Sequence, residues 1–154
     1  MKQVITIPNE LLRQKCEKVT EITPEIKSFA KELTEFLEAH KDDSPSPISI
    51  SAPQLGGNIR MFAFRNNPLV YNEGDIQVVM NPEMVYAKGF HLTRESCLSI
   101  PGKTFTLQRH KLVKIRGLML DGSIRSFRGR DILAQVFEHE LNHLDGILLD
   151  VVGR

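Results

Sequence analysis

The sequence predicts an α+β fold, with mostly antiparallel strands around a C-terminal helix. Three observations carry that expectation. Two amphipathic helical patterns stand near the ends of the chain, while the stretch from Ile48 to about Val113 breaks into short β-branched or aromatic runs. The order is therefore helix, strands, helix, which argues against alternating βαβ units and for an antiparallel sheet. The length, 154 residues, is that of one domain, so residues 1–154 are taken as a single unit.

Each element has a local reason. Thr23-Pro24-Glu25 supplies an N-cap, a first-turn proline and an acidic first turn. Behind it Ile26, Phe29, Ala30, Leu33, Phe36 and Leu37 recur at helical spacing to about His40. Lys41 to Pro47 is a polar, proline-bearing loop. Ile59–Arg65, Ile76–Met80 and Lys103–Gln108 read as short strands, bounded by Gly, Pro or Asn. Lys111–Leu120 alternates imperfectly, Asp121-Gly122 signals a hairpin, and Ser123–Arg128 should return antiparallel to it. A second helix starts after Asp131, a candidate N-cap, and carries Ile132, Leu133, Val136, Phe137, Leu141 and Leu144. Asp145-Gly146 should end it, with Gly146 near C′. Ile147–Val152 reads as a closing short strand.

Composition narrows the functional classes. Hydrophobic residues make up 41% and charged residues 25%, a globular balance. No apolar run reaches the roughly 18 residues of a membrane span, and the N-terminus shows no signal-peptide core, so neither membrane nor secretion is expected. With 20 basic and 19 acidic residues the net charge is +1, and no direct nucleic-acid site is evident. Two cysteines, Cys16 and Cys97, fit a reducing, cytoplasmic setting rather than a disulfide scaffold.

The most informative residues are His139-Glu140-Leu141-Asn142-His143, an H-E-x-x-H on the second helix. Helical positions four apart share a face, so both imidazoles can reach one metal ion, with Glu140 beside its water. Such hydrolytic sites need three protein ligands and an open position. The remaining histidines, His40, His91 and His110, all lie upstream. Asp145 and Asp150 are possible carboxylate ligands, but Cys97, in Glu95-Ser96-Cys97-Leu98-Ser99, is the better candidate. Its setting suggests a strand end turning into a loop before Pro101-Gly102. Cys16 is read as a small buried hydrophobe. Finally, Ile48-Ser49-Ile50-Ser51-Ala52-Pro53-Gln54 alternates like a strand and stops at a proline and a side-chain amide. Taken alone, Gln54 reads as a solvent-facing loop residue.

These three segments, in this order, resemble the peptide deformylase signatures G-x-G-x-A-A-x-Q, E-G-C-L-S and Q-H-E-x-D-H. The similarity extends through the opening VITIPNELLRQKCEKV, Asn81-Pro82-Glu83 and the closing HLDGILLD, nearly the whole chain. The resemblance implies a metal-dependent hydrolase that removes the N-formyl group from the starting methionine of nascent polypeptides and releases formate. Cys97, His139 and His143 would hold one divalent ion, Fe2+ first, with Zn2+, Ni2+ or Co2+ as substitutes. Glu140 would be the general acid/base, and Gln54 with the backbone N–H of Leu98 would meet the oxyanion. Substrate would lie along Ile48, Ser49 and Ile50 and against Gln135 and Val136, with transient ribosome association.

Six signature positions depart from the pattern. Pro47 and Ser49 replace glycines, Ser51 an alanine, Ser96 a glycine, Glu138 a glutamine and Asn142 an aspartate. Ser49 should narrow the peptide cleft, and Pro47 should remove an N–H from its edge. Asn142 should give weaker support than a carboxylate, and Glu138 adds a negative charge beside a ligand. The alternative reading is a divergent relative that binds metal or a peptide end with little turnover.

Overall fold

The computed structural model describes residues 3–69 and 75–153. Helix α1, Pro24–Ala39, begins as its sequence dictates, with Thr23 Oγ1 accepting from Ile26 N at 3.2 Å. Five strands follow: β1 (Ser49–Ser51), β2 (Met61–Arg65), β3 (Ile76–Cys97), β4 (Ile100–Leu118) and β5 (Ile124–Arg130). They form one antiparallel meander in chain order, with Ile50 opposite Ala63, Phe62 opposite Val79 and Ile115 opposite Phe127.

Two strands are longer than their sequence suggests. The run Ile76–Met80 continues to Cys97, and Lys103–Gln108 belongs to a single strand that also contains Lys111–Leu118. Asn81-Pro82 looks like a strand end but is an irregularity, where the register with β4 shifts between Met80 and Glu83. Asn81 sits at φ 49°, and its side-chain amide clamps both backbone groups of Val19 at 2.8 Å. The Asp121-Gly122 hairpin between β4 and β5 forms as expected.

The sheet is packed on both faces. Met61 and Ala63 of β2 face α1, meeting Ala30, Leu33, Phe36 and Leu37. Phe62 and Phe64 face the opposite way, onto helix α2, Ile132–Leu144, whose Ala134, Val136, Phe137 and Leu144 cover Val113, Ile115 and Phe127. Phe64 meets Phe127 and Phe137 edge-on, at centroid distances of 5.3 and 5.1 Å. Period-2 alternation through a strand buried on both faces thus splits its side chains between two cores. Helix α2 lies close on β5 because Gly129 has no side chain; a Cβ there would stand 2.8 Å from Leu133 and Phe137.

Both ends of α2 are fixed. Asp131 takes the N-cap position, but its side chain makes no capping bond: the residue is at φ 51°, and its backbone N–H donates to Lys111 O at 2.9 Å. At the other end Gly146 adopts φ 73°, where a Cβ would meet Arg13 backbone at 2.6 Å. Arg60 donates to Leu144 O at 2.9 Å and pairs with Asp145 at 3.0 Å, placing a cation at the helix C-terminus. The expected closing strand is instead a short helix, α3, Leu149–Val152. Leu148 and Leu149 insert beside Leu12, Ile100 and Leu107, and Asp150 pairs with Arg13 through two bonds of 3.0 and 2.6 Å. That anchoring decides the conformation of a segment too short for its own pattern to do so. Among the described residues, no helix is long and apolar enough to cross a membrane.

Candidate metal centre and active site

Helix α2 and the end of β3 bring the donor atoms together. Cys97 is the last residue of β3, at a tight turn that returns the chain to Ile100. His139 and His143 stand one turn apart on α2, with ring centroids 4.9 Å apart. One ligand atom from each of Cys97, His139 and His143 lies within 4.8 Å of the others, and Cys97 Sγ is 3.3 Å from His143 Nε2. The carboxylates considered as third ligands are engaged elsewhere, Asp145 with Arg60 and Asp150 with Arg13. Cys16 is buried in the core under α2, where burial pushes its thiol up to about 11.

Glu95 and Arg109, to which the sequence assigned no role, orient this set. Glu95 Oε1 accepts from His139 Nδ1 and from Arg109, each at 3.0 Å, leaving His139 Nε2 free to face the cluster. Glu95 Oε2 accepts from Arg109 Nε at 2.9 Å and from Thr93 Oγ1 at 2.7 Å. Arg109 reaches on to Asn142 Oδ1 at 2.8 Å, so Asn142 supports the network as a neutral acceptor. Position two before Cys97 on one strand was a usable signal for Glu95, because the two share a face. Arg109 gives no local signal.

The charges explain one another. Burial would raise the Glu95 pKa, yet hydrogen bonds from His139, Arg109 and Thr93 outweigh it and hold the group at about 2. Burial would lower His139, but bonding to Cys97 and Glu95 and the charge of Glu140 raise it to about 10. His143 is pushed well below its ordinary value by burial, with the charges of His139 and Arg109 adding to the effect. Burial raises Glu140 to about 7, against the opposing influences of His139, the Ser49 hydroxyl and Arg109. A cluster that draws a proton onto one buried imidazole calls for positive charge at that point. A thiol, two imidazoles and the partnerless buried Glu140 Oε2 beside them suit a divalent cation.

Gln54 is not solvent-facing; it is 3% exposed, in a 3-10 turn that follows β1. Its Oε1 accepts from Ser51 N at 3.1 Å and Ser51 Oγ at 3.0 Å, which turns Nε2 toward Ser99 Oγ, 3.2 Å, and Cys97 Sγ, 3.7 Å. The Leu98 side chain, next to Cys97 in the turn, is 47% exposed. These residues border a cleft of about 520 Å³, lined also by Ile48, Ser49, Gln135, Val136, His139 and Glu140.

The other wall is β1, an edge strand that among the described residues pairs only with β2. Ile48 O accepts from Arg65 N at 2.9 Å, so Ile48 and Ile50 direct their backbone groups to β2, and those of Ser49 face the free edge. The Ile50 side chain is fully buried on the α1 side and does not line the cleft. Glu138 does not project into the cleft as a free charge; it accepts from His110 N at 2.6 Å.

Comparison with known proteins agrees with this geometry. The family model for polypeptide deformylases matches residues 1–152. A peptide deformylase of Desulfitobacterium hafniense is 34% identical over 146 residues, 95% of this chain and 90% of that protein. One from Dehalococcoides mccartyi is 33% identical over 148 residues, covering 96% and 83%. Among solved structures, peptide deformylase 1B of Arabidopsis thaliana, in complex with an inhibitor, superposes with a TM-score of 0.86. The two are 27% identical, and the match covers 97% of this chain and 81% of that one. With the matched segment running from the first residues through α3, the chain belongs to the polypeptide deformylase family.

Proposed function

We propose that this chain hydrolyses the formamide bond of N-formylmethionyl peptides and releases formate, using the cleft between β1, the β3–β4 turn and α2. The observation that carries the reading is the convergence of Cys97, His139 and His143 within 4.8 Å beside Glu140, in one cleft. Family membership makes the protein a metallohydrolase; the identity of the ion as Fe2+, with Zn2+, Ni2+ or Co2+ as substitutes, belongs to the proposal. When bound by Cys97, His139 and His143, such an ion supplies a Lewis acid and a water nucleophile usable at neutral pH.

The chain's own residues do the rest. Glu140, with its carboxyl near 7, is suited to take a proton from the attacking water and return it to the departing amine. Gln54, its Oε1 held by Ser51 and one amide N–H donated to Ser99 Oγ, directs its other N–H toward Cys97 Sγ, the one placed to donate to an oxyanion together with the Leu98 N–H. The free edge at Ser49 can pair with the peptide backbone, while Gln135 and Val136 border the methionine side chain. The substrate setting is cytoplasmic, with transient ribosome association.

The test is anaerobic formate release from formyl-Met peptides by protein loaded with ferrous iron or nickel. Formate well above blank is expected. A fully metallated sample that releases none moves the reading to metal or peptide-end binding, which Pro47 and Ser49 on the substrate wall would favour.

A further inference from the structure

Arg94 is the charged side chain on the cleft wall that no other described residue neutralises. The cleft also carries two carboxylates, but Glu140 is 1% and Glu95 3% exposed, and Glu95 is fully engaged by His139, Arg109 and Thr93. Strand alternation explains the contrast. Thr93 and Glu95 turn inward, whereas Arg94, in register with Thr106, stands on the exposed face of the β3–β4 hairpin. The lining before β1 is uncharged, Pro45, Ser46 and Pro47, as is Gln135 on α2. Of the acids on elements that flank the cleft, Asp43 pairs with His40 at 2.7 Å and Glu138 accepts from His110 N.

We propose that Arg94 is a specificity-determining residue that favours formyl peptides bearing a carboxylate shortly after the formylated methionine. The inference rests on the deformylase reading of this cleft. Formylation removes the α-ammonium, so the end that enters the site is uncharged, and the charges a rim residue can read lie downstream. A guanidinium matches a carboxylate in geometry as well as in sign. At an exposed rim its influence falls on encounter and KM, and it weakens with salt.

The experiment uses amidated formyl-Met peptides with Asp or Lys at the second or third position. Wild-type protein should favour Asp in kcat/KM by about threefold to fivefold at low salt, mostly through KM. The preference should shrink at about 0.5 M salt and reverse in Arg94→Glu. An Asp-to-Lys ratio unchanged by Arg94→Glu overturns the proposal. Calorimetric binding of the same peptides to metal-loaded protein gives a readout independent of turnover. Tighter Asp binding that Arg94→Glu abolishes, without formate release, would refute the deformylase activity yet sustain the role of Arg94. Equal binding of both peptides overturns that role.

Discussion

The two walls of the cleft are built differently. The wall formed by α2 and the end of β3 is interlocked: His139 is held by Glu95, Glu95 by Arg109 and Thr93, and Arg109 by Asn142. The α2 terminus is held in turn by Arg60 and Gly146. The facing wall is the three-residue edge strand β1, whose outward backbone groups have no neighbouring strand among the described residues. Departures from the family signatures follow the same division. On the interlocked wall they leave every metal-binding candidate and Glu140 in place, and Asn142 still accepts from Arg109. On the edge wall Pro47 and Ser49 alter the surface that meets a peptide. A buried network resists change because removing one partner strands another, whereas an edge strand can change one residue at a time.

The sharpest way to break the comparison is at Glu140, where no substitution should be tolerated. Glu140→Ala is expected to keep its metal, measured by elemental analysis, and to lose about 10²–10⁴-fold in kcat. Turnover that survived would remove the carboxylate from its acid/base role.

Glu95→Gln tests whether the interlocking itself matters. The substitution leaves Arg109 buried beside a neutral amide, so stability should fall by about 3–5 kcal/mol and metal affinity by about 10–100-fold. Its pH signature has a defined sign. In the native protein Glu95 is held at about 2, below its ordinary 4.5, by bonds that outweigh the cost of burial. The stability this gives is complete above 4.5 and is lost as pH falls toward 2. Denaturation of Glu95→Gln should therefore be flatter over that interval. An identical acid profile would show that Glu95 contributes nothing to the wall.

The same division governs what the sequence made legible. His139, Glu140 and His143 share one helix, so their juxtaposition is a matter of spacing, and the α1 cap and the Asp121-Gly122 hairpin are likewise local. Arg109 reaches Glu95 only because β3 and β4 pair over a long hairpin, and that length was hidden by Asn81-Pro82, which reads as a break. Gln54 reads as a loop residue because its burial comes from Ser51, Cys97 and Ser99, two of them distant in sequence. The strand expected at Ile147–Val152 yielded to the Arg13–Asp150 pair and the burial of Leu148 and Leu149, which no local pattern encodes.

The smallest expected effect falls on the edge wall, and it should be a gain. Pro47 lines the cleft just before β1 and has no N–H to offer a peptide there. Ser49 adds a side chain whose hydroxyl faces the Glu140 carboxyl and favours its ionised form. Restoring glycine at both positions gives the peptide one more donor and a closer approach. Pro47→Gly with Ser49→Gly should raise kcat/KM on formyl-Met peptides by roughly threefold to tenfold, near the net worth of one hydrogen bond. The two changes separate kinetically: the donor regained at position 47 should lower KM, while loss of the Ser49 hydroxyl should act on kcat through Glu140. Backbone freedom gained by two glycines works the other way, costing about 0.4–1 kcal/mol of stability per site, so melting temperature should fall as activity rises. An unchanged or lower kcat/KM in a folded double variant would mean that β1 tolerates its own side chains, and that substrate reaches the metal wall without pairing along this edge.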